Sequence, residues 1–344
     1  MMKKKMFLLG SVLITLALLV TTACSNGGEA VAPEGDIADE NSSTDIKVAL
    51  LLPGPINDGS WNTSAYNGLI ALEEQGGYTI DYTERISIND IEEAFRNYAE
   101  LGYNLIIGHG FEFGEPALRV APDFPEVNFY ISGKPPVDEV TLKNISFIDQ
   151  KEFEGAFLCG AVAGLMTESN MIGYVGGMKI PAQIANMKAF EAGAQYVNAE
   201  AEILGVLTGT YEDPAKGKEA AEAQIDNGAD IIMQAADSTG IGAIEAAKAA
   251  GVKIIGYGAD QNELAPELIL TCLIADIPAA IKLQGERIKA GNFESGIWKA
   301  GLADGIIYLA PYHGNINDEV AEKIDEIKQG ILDGSIMVPE VYTE

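Results

Sequence analysis

Short runs that are apolar from end to end alternate with helix-patterned stretches over most of this chain, and nothing else in it limits the possible folds so strongly. The runs are Ile46–Leu52, Thr79–Thr83, Leu105–Ile107, Val127–Ile131 and Ile145–Ile148. Helical spacing at Ser60–Glu74, Ile91–Leu101 and Pro116–Phe124 separates several of them. A strand with one wet face alternates apolar and polar residues, whereas a strand apolar throughout belongs to a parallel sheet covered by helices on both faces. Residues 46–148 therefore predict a doubly wound α/β unit. A second series follows the helix-like stretch Phe153–Leu165, with strands at Met171–Val175, Ile203–Leu207, Ile231–Gln234 and Val252–Tyr257. Helices at Ala182–Val197, Ala215–Asn227 and Gly242–Ala250 alternate with them. The two series echo each other: Val48–Gly54 leads to a helix containing Gly68, and Ile172–Gly177 to one containing Gly193. Two similar α/β lobes are the economical architecture, and the length of the body suits two domains. Leu268–Ile274, Ile281–Lys289 and Ile307–Leu309 leave material for a return to the first lobe. The expected organisation is lobe 1 over 45–150 with part of 260–295, and lobe 2 over 151–258 with part of 296–344.

Ahead of the body stand Lys3, Lys4 and Lys5, an apolar run from Met6 to Val20, and Thr21-Thr22-Ala23-Cys24. A basic flank, a short apolar core and a small residue before a cut are the parts of a secretory signal, so 1–23 reads as a removable export segment. The run is short for a membrane span. The tetrad ending at Cys24 resembles a lipobox, although Thr21 stands where Leu is commonest. That likeness implies lipidation of Cys24; the alternative is a secreted protein in which Cys24 is incidental. Residues 24–44 have the Gly, Ala, Pro, Asn, Ser and acid composition of a disordered tether.

Removing 1–23 takes three lysines and no acid from a chain of formal charge −29. Such a surface repels phosphate backbones and argues against nucleic acid as a partner. Cys159 and Cys272 lie in apolar stretches and read as buried thiols, with a disulfide left open.

In doubly wound sheets the chemistry gathers just beyond the carboxyl ends of the strands. After the first strand come Asp58, Trp61 and Asn62. Asp58 can cap the following helix, and Trp61, a flat aromatic on the first helical turn, suits a flat ligand. After the third strand, Gly108-His109-Gly110-Phe111-Glu112-Phe113-Gly114 falls one residue out of step with a dinucleotide fingerprint. His109 reads there as structural or ligand-touching, and Phe111 as core or pocket. The second lobe offers Tyr211, Asp237 and Asp260 at corresponding strand ends, each acid a ligand group or a cap. No G-x-S-x-G elbow, Walker loop, HExxH or paired Cys or His at metal spacing occurs. Neither an enzyme nor a metal or cofactor site is expected.

Taken in order, Asn57-Asp58-x-Ser60-Trp61-Asn62, Gly176-Gly177-x-x-Ile180-Pro181, the stretch from Asp213 to Asp230 and Tyr257-Gly258-Ala259-Asp260-Gln261 resemble the basic membrane protein (BMP) family of bacterial substrate-binding lipoproteins. The likeness runs from Ile46 to about Pro311. It implies a type I periplasmic-binding-protein fold, two doubly wound α/β lobes joined by a hinge, on the extracytoplasmic face of a bacterial membrane. It also implies a small-molecule ligand, commonly a purine nucleoside held between two aromatic rings, and an ABC permease as partner. Trp61 and Tyr211 correspond to the rings, and Asp58 and Asn62 to the groups that read the base. Three departures mark this chain: Gly258 replaces an acid of the family pattern, Ala275 replaces a lysine, and Asp237-Ser238-Thr239-Gly240 replaces a Gly-Thr-Gly run. They remove partners for a ribose and add a carboxylate, which points toward a free nucleobase such as adenine. A nucleoside receptor, or a ligand-sensing lipoprotein on the same fold, are the alternatives.

Overall fold

The computed structural model describes residues 46–59 and 61–343. The export segment 1–23, the tether 24–44 and the lipidation candidate Cys24 lie outside the described residues. The first half contains β1 (Ile46–Leu51), α1 (Trp61–Gln75), β2 (Tyr78–Thr83), α2 (Ile91–Glu100), β3 (Leu105–His109), α3 (Gly114–Val120), β4 (Asn128–Ser132) and β5 (Ile145–Gln150). Then α4 (Glu152–Met166) leads into β6 (Met171–Gly176), α5 (Pro181–Val197), β7 (Glu202–Leu207), α6 (Pro214–Asp226), β8 (Ile231–Ala235), α7 (Asp237–Ala250), β9 (Lys253–Tyr257) and β10 (Ile269–Ala275). The remaining elements are α8 (Ile277–Lys289), β11 (Gly296–Ala300), β12 (Ile307–Leu309) and α9 (Asp318–Leu332).

These strands form two six-stranded sheets, in the orders β2-β1-β3-β4-β5-β11 and β7-β6-β8-β9-β10-β12. Neighbours run parallel except β10 and β12, which pair antiparallel. Every residue of β3, β8 and β10 is buried, whereas the edge strand β7 is exposed or half-exposed along its length. Helices on both faces explain why the central strands are apolar from end to end.

The return of the chain divides more finely than the expected boundaries. β10 stays in the second sheet, α8 packs on α1, β11 adds to the first sheet beside β5, and β12 goes back beside β10. The chain thus passes between the sheets three times. Two of these elements have no counterpart among the expected ones. β11 is a half-exposed edge strand, so its sequence Gly-Ile-Trp-Lys-Ala carries no continuous apolar run. α9 buries Val320, Ile324 and Ile327 at helical spacing behind an Asn317 cap that accepts from the Val320 amide, a pattern legible in principle.

The echo between the halves has a packing cause. In each half the helix after the first strand lies against a helix that arrives from the other half, α1 on α8 and α5 on α4. A Cβ at Gly68 would stand 2.9 Å from the Pro278 Cα, and one at Gly193 would run into the Phe157 carbonyl. Gly160 on α4 faces the Phe190 backbone in the same way. Glycine permits these approaches because the opposing atoms are backbone, which cannot turn aside. Cys159 on α4 and Cys272 on β10 are both buried and free.

Gly193→Ala should therefore destabilise the protein by about 1–3 kcal/mol, the usual cost of overpacking. Urea unfolding should show a lower midpoint with an unchanged slope. An unaltered midpoint would mean that α4 and α5 can separate without loss.

Candidate functional site

A cavity of about 790 Å³ lies between the two sheets, walled by segments that follow the carboxyl ends of β1, β3, β4 and β5 on one side and of β6, β7 and β8 on the other. Parallel strands all end on one edge of their sheet, so the loops that carry polar side chains collect there.

The segment after β1 is ordered by its own side chains. Asp58 Oδ2 accepts from the Asn62 amide at 2.9 Å and from Asn62 Nδ2 at 2.7 Å. Its Oδ1 accepts from the Thr63 amide at 3.0 Å and lies 2.9 Å from the Thr63 hydroxyl. Asp58 is thus the cap of α1, satisfying amides that a helix start leaves without partners. Asn62 Oδ1 in turn accepts from the Gly54 amide at 3.3 Å, tying the helix to the end of β1. Asp58 and Asn62 are both buried, and both line the cavity.

Trp61 stacks on His109 with ring centroids 4.2 Å apart and planes inclined by 22°. His109 Nε2 donates to the Trp61 carbonyl at 3.1 Å, which places the ring proton on that nitrogen and leaves Nδ1 as an acceptor without a partner. Complete burial pushes the imidazole down to about 4, so it is neutral at physiological pH. A neutral ring backs one face of the indole, and Trp61 lines the cavity with the remainder.

On the other wall, Tyr211 lies against Gly177, where any Cβ would run into its ring. Burial raises the Tyr211 hydroxyl, which stays protonated. Asp237 opens α7 at φ 48°, a left-handed conformation that Asp tolerates better than most residues. The preceding turn is pinned by Gln234, whose Oε1 accepts from the Ala236 amide at 3.1 Å while its Nε2 donates to Gln261 Oε1 at 2.8 Å. Gln261 Oε1 also accepts from the Tyr257 amide at 3.3 Å. One buried amide pair therefore aligns the ends of β8 and β9.

At the inner end, Glu152 Oε2 accepts from the Tyr257 hydroxyl and from Asn186 Nδ2, each at 2.8 Å. Burial raises the carboxyl, and those two donors partly oppose the shift. Glu112, also on the cavity wall, is raised by burial. Three further lining atoms have no hydrogen-bond partner within the protein: Ser132 Oγ, Gln150 Nε2 and Gln183 Oε1.

Six residues singled out in the sequence, Asp58, Trp61, Asn62, Phe111, Tyr211 and Asp237, meet around this cavity. Phe111 is half exposed on its rim. Asp260 is not brought there: its carboxylate accepts from His313 Nε2 at 2.8 Å, and it borders a smaller cleft of about 270 Å³. Gly258 and Ala275 border that smaller cleft as well, so neither substitution reaches the main cavity. Sequence reasoning missed Glu152, Tyr257, Asn186 and Gln183. Tyr257 carried one available signal, as a hydroxyl at the end of a buried strand. Among the described residues no group of three His, Cys, Asp or Glu could hold a metal, and no helix is long and apolar enough to cross a membrane.

The Bmp family model, described as ABC transporter substrate-binding protein PnrA-like, matches residues 45–341. Basic membrane protein A1 of Borrelia garinii subsp. bavariensis is 31% identical over 298 residues, covering 85% of this chain and 88% of the relative. A purine-binding protein of Brucella abortus is 29% identical over 296 residues, covering 85% and 82%. The crystal structure of an ABC transporter solute-binding protein from Aeropyrum pernix superposes with a TM-score of 0.78 over 86% of this chain and 94% of that one, at 23% identity. With its two six-stranded α/β sheets, the molecule has the type I periplasmic-binding-protein fold.

The buried imidazole predicts a pH dependence of stability. Below pH 6.5 the unfolded chain binds a proton at His109 that the folded chain refuses until about pH 4. Stability is therefore complete above that window and falls as the pH drops through it, by about 3 kcal/mol in all. In His109→Gln, which keeps a donor for the Trp61 carbonyl but does not titrate, the stability difference between pH 7 and pH 4 should shrink by about 2–3 kcal/mol. Urea titrations at the two pH values measure it, and an equal difference in both proteins would mean that the imidazole is solvated.

Proposed function

Because the chain belongs to the Bmp family of ABC transporter substrate-binding proteins, we propose that its cavity receives a purine, held between Trp61 of one half and Tyr211 of the other. A substrate-binding protein of an ABC transporter takes a small molecule, works with a membrane permease and does no chemistry on what it carries. Its family also makes it a membrane-associated, extracytoplasmic protein. Lipidation of Cys24, with 24–44 as the tether, is the anchor we propose.

One observation carries the purine reading: the Trp61 indole stands at the cavity wall, backed on one face by a neutral imidazole. A flat apolar ligand gains from stacking on such a surface, and the imidazole behind it keeps the indole from receding from the cavity. The name of the Brucella relative supports the same class of ligand.

Within that class we favour a free nucleobase, on the strength of Asp237. It is buried and lines the cavity, where its carboxylate can accept from the ring N–H that glycosylation removes. Gly258 and Ala275 lend no weight, since they border the other cleft. A nucleoside is the second reading, favoured by Ser132, Gln150 and Gln183, whose unpaired atoms could meet ribose hydroxyls.

Two measurements follow. Trp61→Ala should weaken adenine binding by about 1–3 kcal/mol in titration calorimetry, the range for losing one base–aromatic stack. An unchanged affinity would remove the stacking anchor. In competition, adenine should displace adenosine from the wild type, and Asp237→Asn should reduce that advantage by about 1–3 kcal/mol, the cost of leaving a donor without its charged acceptor. Tighter binding of adenosine would replace the nucleobase with the nucleoside.

A further inference from the structure

Glu152 is the first residue of α4, two positions beyond Gln150, the last residue of β5. It is 7% exposed and lines the cavity. Its Oε2 is held from the second half by the Tyr257 hydroxyl and by Asn186 Nδ2, each 2.8 Å away. Both hydrogen bonds fall on that one oxygen, and neither engages Oε1. Among the described residues no cation offsets the burial of this carboxyl; the two donors do so. A ligand donor on Oε1 would add a charge-assisted hydrogen bond to a carboxylate that two protein donors already orient.

Two other acids at the cavity, Asp58 and Glu112, are placed differently. Asp58 is engaged by the start of α1 through Asn62 and Thr63. Glu112 sits in a single 3₁₀ turn and has its own backbone amide as a hydrogen-bond donor. Glu152 alone among the three is clamped by side chains from two separate elements, the end of β9 and the middle of α5. A group oriented before the ligand arrives loses little freedom on binding, which makes it a discriminator and not merely a contact.

We propose that Glu152 selects the ligand by accepting a hydrogen bond on Oε1 from an exocyclic amino group, so that a 6-amino purine is bound in preference to its 6-oxo counterpart. This rests on the purine reading above and adds the residue that chooses among purines. An amino group brings two N–H donors to the carboxylate. An oxo group brings lone pairs against lone pairs and leaves Oε1 without a donor. Sites built around one such bond reject the analogue that lacks it far more strongly than an apolar pocket rejects a change of size.

Titration calorimetry with adenine and hypoxanthine, on the wild type and on Glu152→Gln, tests this. The wild type should prefer adenine by on the order of 100-fold. Glu152→Gln keeps the side-chain volume but can donate as well as accept, so the preference should fall at least tenfold. If nucleosides bind more tightly, adenosine and inosine are the pair to compare. A ratio unchanged by Glu152→Gln overturns the assignment, as does a wild type that prefers the oxo purine, because the carboxyl would then be presenting a proton. A wild type that binds no purine removes the purine reading itself, and this proposal with it. Should Glu152→Gln fail to fold, Tyr257→Phe takes its place. It removes one of the two donors that orient the carboxylate, and an adenine preference undiminished in that variant would equally refute the role of Glu152.

Discussion

A parallel sheet covered on both faces leaves side-chain chemistry a single outlet, the edge where its strands end. The central strands β3, β8 and β10 are buried throughout, and a polar side chain along them would need a partner inside the core. Polar groups that meet the cavity therefore gather at and beyond the last residues of the strands, and the two sheets turn those edges toward one cavity. The repeated strand order makes the contributions correspond. Asn62 on α1 and Asn186 on α5 both reach the cavity from the helix that follows the first strand of its half. Even the close helix contacts at Gly68 and Gly193 belong to this scheme, because they set how those two helices pass their neighbours.

The cavity is also where a strongly acidic protein must manage charge with little water. Two of the acids there have arrangements of their own: Asp58 takes the amides of α1, and Glu152 takes a phenol and a carboxamide. The imidazole nearest the site is held neutral by burial, so it contributes a flat surface without a charge. Lys134, a cation on the lining, stands with its Nζ 3.3 Å from the centre of the Tyr342 ring. What is left for a ligand is a set of directed acceptors and donors between aromatic walls, a combination suited to a flat heterocycle edged with N–H groups.

Much of this could be read from the residues in order. Runs such as Leu105–Ile107 and Ile231–Gln234 announce buried parallel strands because no position in them can face water. β11 escaped the same reading because an edge strand with half-exposed Ile297 and Trp298 has no such run. At the site, Asp58, Trp61 and Asn62 were visible as neighbours in one loop, and Tyr211 and Asp237 as residues following strands. The bond between Tyr257 and Glu152 joins positions 105 residues apart, and no local pattern encodes it. Asp260 had the right local setting, yet His313, more than fifty positions further on, engages its carboxylate elsewhere. The Gly177 position was legible as a motif, but its reason, space for a ring that arrives from after β7, belongs to the folded chain alone.

The first passage between the sheets is abrupt. Gln150 ends a strand of the first sheet, Lys151 donates its amide to Ala300 of β11 at 2.8 Å, and Glu152 is already bound to side chains of the second half. Gln150 and Glu152, both on the cavity wall, are therefore tied to different halves of the fold, although one residue separates them. A ligand touching both would join the two halves at the point where the chain itself first passes between their sheets.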